Sequence, residues 1–389
     1  MAQTMEAAAR ARALRAQGRD IISLTLGEPD FPTPVHAIEA AHRAALDGET
    51  KYPPVGGTPA LKQAIQAKFR RDSSLDYPIG QILVGHGARQ IIYDALTAML
   101  EEGDEIVIPA PYWNAYPLIA RMAGAVPVFV PGHAESGFLP EPDAVGRAIS
   151  ARTRCVILNF PNNPTGAVST PDHLRALAHV LRRHPHVWIM SDDMYEHLIH
   201  DGSANPTMAA IAPDLTGRIL TISGVSKTYA MTGWRVGFAA GPAVLIDAMA
   251  KIQGQSTGGV SPITQAAATA ALDGPMDQVH RMRAIYASRS ARMVNAVRAM
   301  PGIMCHQPRG AFYLYPSIAG LIGGTTGAGR RIDCDTDFCD ALLEEAGLAV
   351  VPGAAFGLSP SMRLSTAASD EDLTAAATRL KVFISEISR

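Results

Sequence analysis

Between residues 82 and 239, short runs of apolar and β-branched residues alternate with longer stretches in which apolar positions recur every three or four residues. The short runs are typical of buried strands, and the longer stretches, such as 91–100 and 173–183, are typical of amphipathic helices. This alternation predicts an α/β fold with a largely parallel sheet. The predicted strands cover residues 82–84, 105–108, 126–130, 155–158, 187–190, 219–222 and 236–239.

The pattern changes after Gly274. A long arginine-rich stretch at 276–300 predicts one helix, and the apolar residues at 312–315 predict a strand. Near the N-terminus, an alanine-rich stretch predicts a surface helix that ends near Gly18, and the apolar residues at 21–26 predict a further strand. The expected division is a large domain over residues 35–275 and a smaller α+β domain formed by residues 1–34 and 276–389.

The charges along the chain nearly cancel. Its 389 residues include 34 Lys and Arg against 36 Asp and Glu, a formal net charge of −2. This balance provides no basic field for a nucleic acid backbone. Hydrophobic residues make up 47% of the chain, but no apolar run reaches the roughly 20 residues that cross a bilayer. We therefore expect a soluble protein with neither nucleic acid nor membrane as a partner.

The four cysteines contain no C-x-x-C pair and are too few for a disulfide framework, which favours reduced thiols in the cytoplasm. A chain of this length buries enough core to need no structural metal, and no metal site is expected. Arginines among alanines before residue 20 also fit a transit peptide, but Glu6 interrupts them and no apolar segment follows.

Catalytic and ligand-binding residues are expected where the predicted strands end, because ligands of open α/β sheets bind beyond the carboxyl ends of the strands. The first predicted strand is followed by Gly85 to Arg89 and then a helix, so free N–H groups at the helix start can receive an anion. Gln90 stands where a dinucleotide fingerprint has its third glycine, so that motif is excluded. A plain connecting turn remains the alternative.

Two further strand ends carry ionisable groups. Asp192 and Asp193 follow one apolar strand, and at least one of them should meet a cation if they are buried. A solvated loop or helix cap is the alternative. Lys227 follows the next strand among small residues, and a partly desolvated lysine there is a candidate Schiff-base nucleophile. Lys62 and Lys68 compete poorly because the pattern places them on a polar helix face.

An anion cradle, a carboxylate and an amine together meet the needs of pyridoxal phosphate (PLP). At this point the sequence resembles the class I, fold-type-I PLP aminotransferases, in particular their bacterial aspartate aminotransferase branch. The resemblance runs from Ile21 over nearly the whole chain. Its motifs are Gly27-Glu28-Pro29-Asp30-Phe31, Lys51-Tyr52, Pro111-Tyr112-Trp113, Pro161-Asn162-Asn163-Pro164-Thr165-Gly166, Ser191-Asp192-Asp193-Met194-Tyr195, Ser226-Lys227 through Trp234-Arg235, and Met362-Arg363-Leu364-Ser365.

The resemblance implies a role for each matching residue. Lys227 would bind the cofactor as an internal aldimine and, once released by substrate, move the proton between the substrate Cα and the cofactor C4′. Asp192 would keep the pyridinium protonated, which leaves the adjacent acid as a bystander. Tyr195 and Asn163 would hydrogen-bond the phenolic oxygen of the cofactor, Asn163 would also contact the substrate carboxylate, and Trp113 would stack on the ring.

The same resemblance assigns the phosphate and carboxylate contacts. Arg235 would pair with the phosphate beside the backbone N–H groups of Gly87, Ala88 and Arg89, and Tyr52 would reach in from the second subunit of a homodimer. Arg363 would bind the substrate α-carboxylate through two of its guanidinium nitrogens, close to the backbone of Gly27. The resemblance also implies that the strand near 236–239 is antiparallel in a mixed sheet.

Two features depart from the family pattern. Gly224 stands where many relatives carry a phosphate-binding serine, and Ser223 or Ser226 could take its place. The N-terminal segment is short, so any substrate contact from it is in doubt.

The expected reaction is amino-group transfer between an amino acid, with aspartate or glutamate favoured, and a 2-oxo acid. Arg89 stands where relatives that accept aspartate often carry a lysine, and its guanidinium could bind a distal carboxylate. Alternatively, Arg89 supports the phosphate or faces solvent, and aromatic or neutral amino acids or prephenate are then the substrates. A PLP lyase or decarboxylase on the same fold and a non-enzymatic PLP-binding regulator are further alternatives.

Overall fold

The computed structural model describes residues 3–388. Its strands are β1 Ile22–Ser23, β2 Ile82–Gly85, β3 Glu105–Ala110, β4 Val126–Pro131, β5 Thr153–Asn159, β6 Trp188–Asp192, β7 Ile219–Gly224, β8 Gly237–Ala240, β9 Tyr313–Leu314, β10 Leu348–Ala349, β11 Val351–Pro352 and β12 Met362–Ser365. Its α-helices are α1 Gln3–Ala16, α2 Val35–Leu46, α3 Pro59–Ser73, α4 Ala88–Met99, α5 Ala115–Met122, α6 Pro142–Ala148, α7 Pro171–Arg182, α8 Met208–Ile211, α9 Val225–Thr228, α10 Ala243–Ser256, α11 Pro262–Asp273, α12 Asp277–Arg298, α13 Asp335–Ala346 and α14 Asp370–Ser385.

The main sheet has seven strands in the order β2-β8-β7-β6-β5-β3-β4. β8 pairs antiparallel with both β2 and β7, and the other neighbours pair parallel. The prediction of a mixed, mainly parallel sheet is therefore confirmed, including its antiparallel strand near 236–239. Strands β5 to β7 are almost entirely buried, which explains why they read as continuous apolar runs in the sequence.

The two chain ends form smaller sheets. β1 pairs parallel with β10, and β9, β12 and β11 form an antiparallel sheet. One apolar core joins Ile22 and Leu24 to side chains of α12, α13 and α14, such as Phe338 and Leu380. This shared core agrees with a small domain built from both ends, while the boundaries near residues 34 and 275 stay a prediction.

The predicted strand at 21–26 is shorter in the structure, where only Ile22–Ser23 forms a ladder. Its partner β10 is itself two residues long, so the ladder ends there. The carbonyl oxygen of Thr25 accepts a 2.6 Å hydrogen bond from Arg363 Nη2 instead of joining a sheet. The segment thus leaves the sheet to form a wall of the cavity described below.

The prediction of a polar helix face is wrong for Lys68, which is only 2% exposed. Its Nζ lies 2.5 Å from Oε2 of Glu196 and 4.7 Å from the ring centroid of Phe69. A lysine stem is apolar enough to lie in a core when its ammonium group meets a buried carboxylate.

Among residues 3–388, no helix is both long and apolar enough to cross a membrane.

Candidate active site

A cavity of about 370 Å³ lies at the carboxyl ends of the central strands, where β5, β6 and β7 end near the segment 25–27. Most of the predicted site residues line it, although they come from separate parts of the chain. Gly87 does not line the cavity but contacts Arg235, which does. The predicted residues that line it are Gly27, Ala88, Arg89, Trp113, Asn163, Asp192, Tyr195, Lys227, Arg235 and Arg363.

Lys227 lies on the single turn of α9 that follows β7. Its Nζ donates a 2.6 Å hydrogen bond to the carbonyl oxygen of Gly27. Burial lowers the pKa of the lysine to about 8, Glu28 opposes this shift, and the positive charges of Arg235 and Arg363 add to it. A pKa near 8 leaves a useful fraction of neutral amine at physiological pH, which is the form that attacks a carbonyl carbon.

Asp192 ends β6 and is 5% exposed. Its Oδ2 accepts a 2.6 Å hydrogen bond from the hydroxyl of Tyr116, and its Oδ1 accepts one from the backbone N–H of Met194. Burial raises the pKa of Asp192, while the Tyr116 hydroxyl and the charge of Lys227 oppose the shift. The carboxylate thus lines the cavity, with no salt bridge to any described residue.

Asp193 does not line the cavity. It accepts a hydrogen bond from the Ser191 hydroxyl and is 4% exposed. Burial and the neighbouring Glu196 raise its pKa to about 7. The two adjacent acids are therefore in different surroundings, because successive side chains of an extended chain point to opposite faces.

The predicted anion cradle is present at the start of α4. Gly87 has φ +83°, and a Cβ there would lie 2.5 Å from Nη2 of Arg235. A Cβ at Gly237 would lie 2.3 Å from the backbone nitrogen of Ala88. Both positions therefore need glycine for close packing. The first N–H groups of a helix lack partners within it, and the Gly87 cap supplies no side chain to satisfy them.

Arg235 extends beside this helix start. Its Nη1 donates to the carbonyl oxygen of Thr232, and in residues 3–388 no carboxylate lies within ion-pair distance of it. The exposed guanidinium and the free N–H groups form a basic surface suited to a phosphate.

Arg363, on β12, is 3% exposed and has no carboxylate partner in the described chain. Its Nη1 donates to Asn163 Oδ1 at 3.0 Å, and its Nε has no partner. The guanidinium lies 4.7 Å from the ring centroid of Tyr313 and 4.8 Å from that of Phe356. Burial lowers its pKa. A buried, unneutralised guanidinium is costly unless an anion reaches it, so this one marks a carboxylate site.

Arg89 lies with its Cζ 4.7 Å from the ring centroid of Trp113. Its guanidinium makes no ion pair within residues 3–388, and burial together with the charge of Arg235 lowers its pKa. Its side chain is exposed, so the carboxylate-binding, phosphate-supporting and solvent-facing interpretations all fit this position.

Tyr52 does not line the cavity. Its side chain is fully exposed on the surface of the single chain. The predicted contact with a second subunit stays a prediction.

The two serines left open by the sequence lie in different surroundings. The hydroxyl of Ser223 donates to Glu196 in the buried interior, away from the cavity. Ser226 lines the cavity and is the remaining candidate. A Cβ at Gly224 would lie 3.0 Å from the carbonyl oxygen of Val236, so the close approach of β7 to the chain before β8 leaves little room for a side chain there.

Several further residues that the sequence did not point to also line the cavity. Tyr116 lies in the first turn of α5, three residues after Trp113, and this helical spacing was the signal that could have identified it. Asn159 is the last residue of β5, and its position at a strand end was the corresponding signal. Tyr313 lies on β9. Arg12 on α1 also lines the cavity, so the surface helix of the short N-terminal segment does reach the site.

The chain is similar to known proteins over nearly its whole length. The family model "Aminotransferase class I and II" matches residues 19–380. An aspartate/prephenate aminotransferase from Cereibacter sphaeroides is 50% identical over 386 residues, which cover 99% of this chain and 96% of that protein. An aspartate aminotransferase from Rhizobium meliloti is 46% identical over 388 residues, covering 100% of this chain and 95% of that protein.

Solved structures give the same result. A crystal structure of the Rhizobium meliloti aspartate aminotransferase superposes with a TM-score of 0.97 at 46% identity, covering 100% of this chain and 97% of that one. Thermus thermophilus aspartate aminotransferase with maleate superposes with a TM-score of 0.91 at 38% identity, covering 98% and 97%. The predicted fold type is confirmed, and the chain belongs to the class I and II aminotransferase family.

Proposed function

We propose that this aminotransferase uses PLP to exchange the amino group of a dicarboxylic amino acid, aspartate or glutamate, with a 2-oxo acid. One observation carries the proposal: a lysine with a pKa of about 8 shares a cavity with an uncompensated buried arginine, Arg363, and a buried carboxylate, Asp192. These groups meet the three needs of amino-group transfer, namely an amine nucleophile, an anchor for the α-carboxylate and a partner for a protonated ring nitrogen.

The residues of the cavity fit PLP. The free N–H groups of Ala88 and Arg89 suit the phosphate. Gly87 suits it too, because its missing side chain makes room for Arg235. Trp113 offers an aromatic face beside them. When bound, PLP supplies an aldehyde that joins amines covalently and a ring that accepts electrons from the substrate Cα.

The side chains of the cavity bind the cofactor and the substrate and move the proton. Lys227 would hold the cofactor through its amine and, as a base, would remove and return the proton at the substrate Cα. Asp192, hydrogen-bonded by Tyr116, holds the proton on the ring nitrogen. Arg363 binds the α-carboxylate through the nitrogens that its contacts with Asn163 and Thr25 orient. Tyr195 and Asn163 line the cavity and would donate hydrogen bonds to the phenolic oxygen of the cofactor.

A distal carboxylate on the substrate is supported by the charge of the cavity. Arg89 and Arg12 both line it, and neither pairs with an acid in the described chain. The Cereibacter sphaeroides relative is named for aspartate and prephenate, and the Thermus thermophilus structure contains maleate, a dicarboxylate. Prephenate, a carboxylated oxo acid, is the second candidate acceptor.

We further propose a homodimer in the cytoplasm. Tyr52 is fully exposed on a single chain, together with Leu26, Val35 and Leu46, which are large apolar side chains that a subunit interface would cover. All four cysteines are free in the structure, as reduced thiols would be.

An absorbance spectrum tests the function. The purified protein reconstituted with PLP should absorb between about 360 and 430 nm, and aspartate should shift the band, which 2-oxoglutarate should restore. Lys227→Ala should lose this band, whereas Lys251→Ala, an exposed lysine, should keep it. Release of carbon dioxide or ammonia without restoration by an oxo acid would instead identify a decarboxylase or a lyase.

A further inference from the structure

The hydroxyl oxygens of Tyr195 and Tyr313 lie 2.7 Å apart in the wall of the cavity. Both side chains are buried, with 4% and 1% of their surface exposed. Tyr195 is the only hydrogen-bond partner of the Tyr313 hydroxyl within residues 3–388. The two hydroxyl groups are therefore hydrogen-bonded to each other in the wall of the cavity.

Tyr313 is also held on its other sides. A Cβ at Gly27 would lie 2.1 Å from the Tyr313 hydroxyl, so this hydroxyl packs directly against the Gly27 backbone. The carbonyl oxygen of Gly27 accepts the hydrogen bond from Lys227, and the guanidinium of Arg363 lies over the Tyr313 ring. Tyr313 thus contacts three groups at once: the Gly27 backbone that binds the Lys227 amine, the Arg363 guanidinium and the Tyr195 hydroxyl.

The direction of this hydrogen bond determines whether Tyr195 can donate to a second acceptor. Each hydroxyl has one proton, so only one of the two can donate across the 2.7 Å contact. If Tyr195 donates to Tyr313, no Tyr195 proton remains for another acceptor. If Tyr313 donates, the Tyr195 proton is free to point into the cavity.

We propose that Tyr313 is a positioning residue whose hydroxyl donates to Tyr195, so that Tyr195 directs its own proton to the phenolic oxygen of the cofactor. This inference rests on the proposed function. A hydroxyl that accepts a hydrogen bond becomes a stronger donor, because neighbouring hydrogen bonds polarise one another in a site of low dielectric constant. Tyr313 therefore acts on the cofactor through Tyr195 and without touching it.

The test uses the reconstituted holoenzyme without substrate. A hydrogen bond to the phenolic oxygen lowers the pKa of the Lys227–cofactor linkage, because it withdraws the negative charge that holds the proton on the neighbouring nitrogen. The charged groups that face the tyrosine pair are Arg363 and Asp192, and both stay in every variant. The absorbance of the linkage is recorded against pH.

Tyr313→Phe should raise that pKa by about 0.1 to 0.3 unit, because Tyr195 still donates to the phenolic oxygen but loses the roughly 10–30% strengthening that the neighbouring hydrogen bond provides. Tyr195→Phe should raise it further, and the double variant should equal Tyr195→Phe alone, because Tyr313 acts only through Tyr195. Tyr315→Phe is the matched control, since its hydroxyl donates to Leu358 and Gly353 away from the cavity, and it should leave the pKa unchanged.

Thermal unfolding checks that each variant is folded, and Tyr313→Met, which also lacks the hydroxyl, should reproduce the shift. A pKa for Tyr313→Phe equal to that of Tyr315→Phe, or additive shifts in the double variant, would overturn the inference while leaving the function intact. Borohydride reduction and peptide mapping of the wild type separate the two: absence of a cofactor adduct on Lys227 would overturn the proposed function and the inference with it.

Discussion

Lys68 Nζ lies 2.5 Å from Oε2 of Glu196, and both side chains are buried, with 2% and 7% of their surface exposed. The other carboxylate oxygen of Glu196 accepts a hydrogen bond from Ser223. Glu196 follows Tyr195, and Ser223 precedes Lys227 by four residues in the chain. This ion pair therefore joins α3 to the ends of β6 and β7, near which Asp192 and Lys227 lie.

Removing the cation should destabilise the protein strongly. Lys68→Met leaves Glu196 as an uncompensated buried charge, and the free energy of unfolding should fall by about 3 to 5 kcal/mol. Lys62→Met is the control, because Lys62 lies on the same helix with no ion-pair partner in the described chain. Urea unfolding measures both. The double variant Lys68→Met, Glu196→Gln should recover much of the loss, and equal stabilities for the two single variants would contradict the prediction.

Asp94 should make stability depend on pH. It is fully buried, neither carboxylate oxygen has a hydrogen-bond partner within residues 3–388, and burial raises its pKa from 3.8 to about 7, which the Gln90 side chain opposes only in part. Between these values the folded protein holds a proton that the unfolded chain has released. Stability is therefore lost as pH rises from about 4 to 7, by about 1.4 kcal/mol per pH unit for this one group.

Asp94→Asn removes that titration. Urea unfolding of the apoprotein at pH 5, 6 and 7, at constant protein concentration, should show the variant gaining on the wild type as pH rises. A constant difference between the two proteins across this range would show that Asp94 does not titrate there.

Asp192 should be essential for turnover, unlike its neighbour. Asp192→Asn removes the negative charge opposite the ring nitrogen, and kcat should fall by at least about a hundredfold. Asp193→Asn keeps the shape of an acid that does not line the cavity, so its kcat should stay within about threefold of wild type. Steady-state assays with saturating PLP compare the two. Similar losses in both variants would mean that the strand end, and not the charge at Asp192, matters.

Arg89 should discriminate between substrates. Arg89→Ala removes a charged hydrogen bond to a distal carboxylate, so kcat/KM for aspartate and glutamate should fall about tenfold to a hundredfold. Phenylalanine should lose little. If aspartate and phenylalanine lose equally, Arg89 supports the cofactor phosphate, and the substrate is aromatic or neutral.

Tyr52 should act across a subunit interface. In a mixture of Tyr52→Phe and Lys227→Ala proteins, each hybrid dimer would contain one site with both Tyr52 and Lys227. Activity should rise above that of either variant alone once the subunits exchange, which native mass spectrometry follows. Exchange without any gain in activity would place Tyr52 outside the neighbouring site.

The sequence by itself determined the strands of the main sheet and the chemistry at their ends. Buried strands are short, continuous apolar runs, and strands of a parallel sheet end at a common edge, so the local pattern predicts that Lys227 and the pair Asp192 and Asp193 lie at one edge. The choice of Asp192 over Asp193 came from the family resemblance. The turn at Gly87 could also be predicted from the sequence, because a tight turn before a helix is a local feature.

Only the tertiary structure decided which groups meet. Arg363 contacts Asn163 across 200 positions of the chain, and Lys68 meets Glu196 across 128. Neither contact leaves a periodic signal, because the pattern of apolar positions records burial but not the identity of a distant partner. For the same reason the sequence left Ser223 and Ser226 equivalent. Their positions on β7 and on the turn of α9 give one of them to the interior and the other to the cavity.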